Sequence, residues 1–114
     1  MGNKMPKFKN DRFKKSRGGY SRWLLISCEK CKTSLFIYQK DGPGTLKRLY
    51  LDRIINRSPK IKDHRNFICK KCKTAIGILV AYKKENRPVY RLFAGAIRKK
   101  IIDGNKVKKF IRAW

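Results

Sequence analysis

The spacing of the four cysteines constrains this chain more than any other feature, because they form two Cys-x-x-Cys pairs, Cys28/Cys31 and Cys69/Cys72. Each pair can present two thiolates from one tight turn, so the two pairs supply the four soft ligands of a closed tetrahedral Zn²⁺ site. Such a site is structural, since it leaves no position for water. We predict one Zn²⁺ bound by these four cysteines. Two short-range disulfides, another metal, or four reduced cysteines without metal are the alternatives.

Lysines flank both pairs, and this favours bound metal over free thiols. A Zn²⁺ held by four thiolates has a formal charge of −2, which neighbouring cations offset. The flanking residues are Lys30, Lys32, Lys70, Lys71 and Lys73. His64, the single histidine, precedes Cys69 by five residues and is an alternative ligand, a phosphate or base contact, or a plain loop residue.

The charge balance predicts a polyanionic partner. The 114 residues include 32 Lys and Arg against 7 Asp and Glu, a formal net charge of +25. Charge at this density destabilises a compact state through self-repulsion unless counter-charges such as phosphates offset it. Hydrophobic residues make up 41% of the chain, so we expect one small core that bound metal stabilises.

Several function classes are not expected from this sequence. The acids stand singly and most neighbour a cation, so no acid/base pair or nucleophile set can be assembled and an enzyme is not predicted. The apolar run at residues 23–26 is too short for a signal-peptide core or a membrane span. We expect a cytoplasmic protein, with an organelle presequence in residues 1–20 as the alternative. Neither a membrane, a small-molecule substrate nor a second copy of the chain is expected as a partner.

Composition divides the chain into three parts. Residues 1–20 hold seven basic residues against Asp11 alone, interleaved with aromatic rings, and predict a disordered basic arm that contacts nucleic acid; a merely solubilising tail is the alternative. Residues 21–98 predict a zinc-ribbon-like β domain. Residues 99–114 predict a basic hairpin around Asp103-Gly104-Asn105, or an unstructured tail.

The two halves of the predicted β domain resemble one another. The segment at residues 28–33 matches residues 69–74 at an offset of 41, and Arg48-Leu49 matches Arg91-Leu92 at an offset of 43. We predict two similar units that share one four-cysteine zinc site, each a metal knuckle leading into a β-hairpin. The first hairpin spans residues 34–40 and 45–55, and the second residues 75–83 and 89–97. The apolar spacing within residues 45–55 also fits a helix.

Candidate nucleic-acid contacts are the cations of both ends and of the loop at residues 56–66, which we expect to be exposed. They are Lys4, Lys7, Lys9, Arg12, Lys14, Lys15, Arg17, Arg22, Arg57, Lys60, Lys62, Arg65, Arg98, Lys99, Lys100, Lys106, Lys108, Lys109 and Arg112. Their spread predicts phosphate binding more than the reading of bases.

With its paired knuckles at residues 28–31 and 69–72, small β body and extreme basicity, the chain resembles the zinc-ribbon ribosomal proteins. The resemblance implies that Cys28, Cys31, Cys69 and Cys72 bind the metal, and that ribosomal RNA and neighbouring ribosomal proteins are the partners. A zinc-ribbon DNA-binding or transcription-associated factor is the competing interpretation.

Overall fold

The computed structural model describes residues 7–55, 66–69 and 71–113, with backbone alone for residues 110–113. Six of the predicted nucleic-acid contacts, and the alternative ligand His64, therefore lie outside the described residues or side chains. The six are Lys4, Arg57, Lys60, Lys62, Arg65 and Arg112.

Two four-stranded antiparallel sheets make up the body of the protein. The first sheet has the order β4-β2-β1-β8 and the second β3-β7-β6-β5. The elements are α1 (Arg12–Ser16), β1 (Ser21–Cys28), β2 (Ser34–Asp41), β3 (Arg48–Tyr50), a 3₁₀ turn (Leu51–Arg53), β4 (Ile54–Ile55), β5 (Asn66–Ile68), β6 (Ala75–Tyr82), β7 (Arg87–Leu92), β8 (Ile97–Ile102) and α2 (Gly104–Ala113). The prediction of a small, mostly-β protein is confirmed, whereas the zinc ribbon stays a prediction.

The main core lies between the two sheets. Phe36 of the first sheet stacks on Phe67 of the second, with ring centroids 5.7 Å apart, and Phe67 packs against Tyr90 at 4.9 Å. Cys28 and Cys69 belong to the same buried cluster. Aromatic pairs of this kind add about 0.5–1.5 kcal/mol each beyond the area that they bury. The cysteine pairs are therefore anchored in the layer that joins the sheets.

The predicted repeat appears in the strand register. In the β1–β2 pair Ile26 lies opposite Phe36, and in the β5–β6 pair Phe67 lies opposite Gly77, which are the equivalent positions at an offset of 41. The register shifts immediately after both pairs, so each hairpin has an irregularity at the same place. The two units share one local fold, and each Cys-x-x-Cys lies in the turn between its two strands.

The first predicted hairpin forms only in part. β4 pairs with β2 as expected, but β3 leaves the first sheet and pairs with β7 of the second. The reason is Leu49, which is fully buried opposite Tyr90. The helix considered for residues 45–55 is limited to the 3₁₀ turn at Leu51–Arg53. The second hairpin forms, since β6 and β7 pair over six residues, but β7 ends at Leu92, and Ile97 already belongs to β8 of the first sheet.

The prediction of a disordered arm is wrong for residues 7–20. The Asp11 side chain caps α1 by accepting hydrogen bonds from the backbone N–H groups of Phe13 and Lys14, at 3.1 and 3.2 Å. Phe8 stacks on Trp23 with ring centroids 4.3 Å apart. Apolar burial and the cap stabilise this segment against the outer face of the first sheet.

A buried arginine ties the same segment to the body. Arg53 is 1% exposed and donates to Asp11 Oδ1 at 2.6 Å and to Asp41 Oδ2 at 2.8 Å. The Arg53 guanidinium lowers the pKa of Asp11 to about 2. Asp11 therefore serves as helix cap and as ion-pair partner at once.

The C-terminal hairpin prediction is also wrong. β8 pairs with β1 of the first sheet, and a helix follows in place of a second strand. The Asp103 side chain accepts a hydrogen bond from the Lys106 backbone N–H at 3.0 Å, so Asp103 begins a helix where a hairpin turn was expected. Val107 is then buried with Trp23 and Ile102 on the outer face of the first sheet.

We predict that deletion of residues 1–20 destabilises the body by about 3 kcal/mol or more, because it uncovers Trp23 and removes a partner of buried Arg53. Chemical denaturation and Trp23 emission in a Trp114→Phe background measure this, since the chain has two tryptophans. Deletion of residues 1–6 is the control, because it keeps the contacts described above. A shared denaturation midpoint and emission maximum for the two truncated proteins would show that residues 7–20 do not stabilise the body.

Candidate metal centre

The described residues of the two Cys-x-x-Cys turns share one backbone hydrogen bond and one positive φ angle. The backbone N–H of Lys32 donates to the Cys28 carbonyl at 2.8 Å, and that of Lys73 donates to the Cys69 carbonyl at 2.7 Å. Lys32 and Lys73 have φ angles of 65° and 63°, in the left-handed region that favours glycine. A lysine is therefore held at the turn position after the second cysteine in both units.

The two turns bring all four sulfur atoms together. They lie within 4.8 Å of one another, with Cys28 Sγ 3.6 Å from Cys72 Sγ and Cys31 Sγ 3.6 Å from Cys69 Sγ. A tetrahedral ion with metal–sulfur bonds of about 2.3 Å requires sulfur–sulfur separations of about 3.8 Å. All four cysteines are free, so the disulfide alternative does not hold in this structure. The four side chains fit a single metal ion, and this geometry leaves the element open.

Hydroxyl groups stabilise the thiolate form of Cys31 and Cys72, the two cysteines that are only partly buried. Thr33 Oγ1 lies 3.1 Å from Cys31 Sγ, and this hydrogen bond lowers the pKa of Cys31 to about 6. Thr74 Oγ1 lies 3.1 Å from Cys72 Sγ and lowers its pKa in the same way. Burial raises the pKa of Cys69 to about 11. A cation at the centre of the cluster would stabilise the buried thiolates directly.

The rest of the fold supports the first turn. The Glu29 backbone N–H donates to the Ala96 carbonyl at 3.1 Å, which ties this turn to the loop before β8. The Glu29 carboxylate lies 3.2 Å from Lys32 Nζ and 3.5 Å from Arg98 Nε. The Glu29 carboxylate thus accompanies two cations beside the first turn, Lys32 and Arg98.

The structure places the described members of the predicted nucleic-acid contacts on four parts of the chain. They lie in the N-terminal segment, on β1, on β8 and on α2. The exposed ones are Lys7, Lys9, Arg12, Lys15, Arg22, Arg98, Lys99, Lys100, Lys106 and Lys109, while Lys14, Arg17 and Lys108 are half-buried.

Arg17 has a structural position that the sequence did not reveal. Its guanidinium donates to Glu85 Oε2 at 2.6 Å and to the Tyr50 hydroxyl at 2.9 Å. Buried Arg87 donates to Glu85 and Asp52 beside it. We assign Arg17 to this ion-pair network, which joins α1 to the second sheet.

Cations that the sequence analysis did not select line two clefts between the sheets. The clefts have volumes of about 230 and 520 Å³ and share residues 45–48 as a common wall. Lys40 lines the smaller cleft, Arg91 lines the larger one, and Arg48 lines both. The sequence shows that Arg48 and Arg91 are equivalent positions of the repeat. It does not show that they lie opposite each other, because that pairing depends on β3 joining the second sheet.

Comparison with protein-family models, curated proteins and solved structures gives no match to this chain. Among the described residues, neither helix has the length and apolar character that crossing a bilayer requires.

We predict that Lys73→Gly stabilises the metal-loaded protein by about 0.5–1 kcal/mol, because glycine adopts a positive φ without the steric cost of a side chain. Lys71→Gly is the matched control: it removes the same charge from the same turn, but φ of Lys71 is not positive, so the variant should lose stability. Denaturation midpoints with saturating metal measure both. Equal midpoint shifts in the two variants would show that backbone strain at Lys73 is negligible.

Proposed function

We propose that this chain is a non-catalytic, zinc-containing RNA-binding protein that acts as a structural component of the ribosome. In this proposal Zn²⁺ joins the two hairpins, and the basic surface binds ribosomal RNA beside neighbouring ribosomal proteins. The location that follows is cytoplasmic or that of an organelle ribosome.

The chemistry of the ligands supports zinc. Four thiolates in a closed tetrahedral arrangement suit Zn²⁺ in a structural role, since all four coordination positions are filled by protein. The sulfur–sulfur separations of 3.6 Å are close to those of such a site. Cys28, Cys31, Cys69 and Cys72 would be the ligands.

The distribution of the acids carries the RNA-binding proposal. Four of the six acids that the structure describes pair with arginines that are buried or half-buried, namely Arg17, Arg53 and Arg87. The carboxylates therefore neutralise cations inside the fold, and the exposed Lys and Arg of the described surface have few acids near them. A surface of this kind attracts phosphate and releases counterions when it binds.

The spread of the cations favours structured RNA over the base-specific reading of a DNA groove. Exposed lysines and arginines occur on the N-terminal segment, β1, β8 and α2, so no single helix or ribbon carries them. A base-reading element would place its side chains on one helix or ribbon. Contacts from several elements suit a protein that fits between RNA helices and neutralises their backbones.

We predict that the purified protein carries one Zn²⁺ per chain and that Cys69→Ser loses the metal and unfolds the body. Native mass spectrometry gives the metal count, and circular dichroism reports the fold. Ser27→Ala is the control, since it removes a hydroxyl of the same strand that ends at Cys28. A native mass equal to that of the bare polypeptide, with the fold intact, would refute zinc binding.

We predict that RNA binding weakens steeply with salt, by about 0.7–0.9 log units of affinity per log unit of salt for each phosphate contacted. Co-sedimentation with ribosomes over a salt series, and titration against structured RNA and duplex DNA of equal length, measure this. Equal or tighter binding to duplex DNA would favour the DNA-binding alternative. An affinity that does not change with salt would exclude phosphate contacts as the main source of binding.

A further inference from the structure

Two arginines face each other across the second sheet. Arg48 of β3 lies directly opposite Arg91 of β7, so both side chains leave the sheet on the same side. Like charges at directly opposed positions destabilise a sheet. Arg48 and Arg91 occupy equivalent positions in the sequence repeat, at an offset of 43. The fold therefore places two repeat-related cations side by side at an energetic cost.

The described part of the chain provides no acid to offset this pair. Asp11, Asp41, Asp52 and Glu85 are engaged with Arg17, Arg53 and Arg87. Of the remaining described acids, Glu29 pairs with Lys32 and Arg98, and Asp103 caps α2.

An aromatic contact orients one of the two side chains. Arg48 lies over the Tyr82 ring, 4.5 Å from its centroid. Tyr82 lines the smaller cleft, which shares Arg48 with the larger one, so this contact holds the guanidinium beside the wall common to both clefts while leaving its N–H groups able to donate to an anion.

The larger cleft is lined by residues of both sheets, and its lining includes both arginines. Its volume of about 520 Å³ lies in the range of sites for small ligands, roughly 300–1,000 Å³. Its cations are Lys47, Arg48, Arg91 and Lys99, and none of its lining residues is acidic. We call this space the intersheet cleft.

One wall of the intersheet cleft offers an apolar surface. Phe93 is 44% exposed and lines the cleft beside Ala94 and Gly95. An exposed ring next to clustered cations is the combination that binds unpaired nucleotides, in which the base stacks on the ring and the phosphate contacts the cations. A duplex keeps its bases stacked on one another and cannot use such a ring.

We propose that the intersheet cleft binds an unpaired RNA nucleotide, with Arg48, Arg91 and Lys99 on the flanking phosphates and Phe93 under the base. This inference rests on the proposed RNA-binding function and adds to it a site in which Lys99 of the basic C-terminal part is joined by Arg48 and Arg91 of the second sheet. The loop that carries Phe93 also contacts the first cysteine turn through Ala96, so the metal centre supports the cleft wall.

The test compares two variants of equal charge in the full zinc-loaded chain, with a short fluorescein-labelled oligouridine as the probe. Arg48→Gln/Arg91→Gln should reduce the slope of log affinity against log salt by about 1.4, since each lost phosphate contact removes about 0.7 for a single strand. Lys83→Gln/Lys84→Gln changes two exposed residues of the β6–β7 turn, which lie outside the cleft lining and are not among the predicted nucleic-acid contacts, and should leave the slope near that of the unmodified protein.

Two further measurements identify the cleft. Phe93→Ala should weaken oligouridine binding on the order of tenfold, as loss of one stacked base does, whereas Ile101→Ala, which truncates an exposed apolar side chain outside the cleft, should not. The free Arg48→Gln/Arg91→Gln protein should also melt at a higher temperature, because an unfavourable pair is gone.

The outcomes separate the two proposals. If the unmodified protein binds neither oligouridine nor structured RNA with a salt dependence, the proposed function fails. If it binds both, but the two charge variants lose the same slope and Phe93→Ala binds normally, RNA binding stands and the cleft assignment is overturned.

Discussion

The convergence of four cysteines from two separate hairpins is the constraint on which the rest of the structure depends. Each hairpin is too small to bury a core alone, and the two sheets meet over a limited set of apolar side chains around Phe36, Phe67 and Tyr90. Cys28 and Cys69 lie within that cluster. A metal ion bound there would link the turns of both repeats and fix the relative position of the sheets.

The pairing of acidic with basic side chains follows from the same two-sheet architecture. Burying Arg53 and Arg87 is unfavourable unless carboxylates accompany them, and Asp11, Asp41 and Asp52 are used for that purpose. This network connects the N-terminal segment, the first sheet and the second sheet. Because most of the described acids are used internally, few acids remain near the exposed cations of the described surface, and this favours phosphate binding.

The features that were predicted from the sequence are those set by local spacing. The cysteine pairs, the repeat at an offset of 41 and the hairpin of β6 and β7 depend on short-range patterns, and the structure contains all three. The zinc ribbon and the RNA contacts stay predictions.

The incorrect predictions concern segments whose structure depends on distant partners. Residues 7–20 lack the apolar periodicity of a helix, yet Phe8 stacks on Trp23 and Asp11 forms an ion pair with Arg53. β3 crosses between sheets because Leu49 is buried opposite Tyr90. The segment after Asp103 forms a helix because Val107 covers the first sheet. Local composition does not contain these pairings, so the intersheet cleft that they create was not predicted either.

The most direct test of the central claim is X-ray absorption spectroscopy of the purified protein at the zinc edge. Coordination by Cys28, Cys31, Cys69 and Cys72 predicts a single shell of four sulfur atoms at about 2.3 Å from the metal. A shell that contains nitrogen or oxygen, or fewer than four sulfur atoms, would contradict a site that joins the two hairpins through all four cysteines.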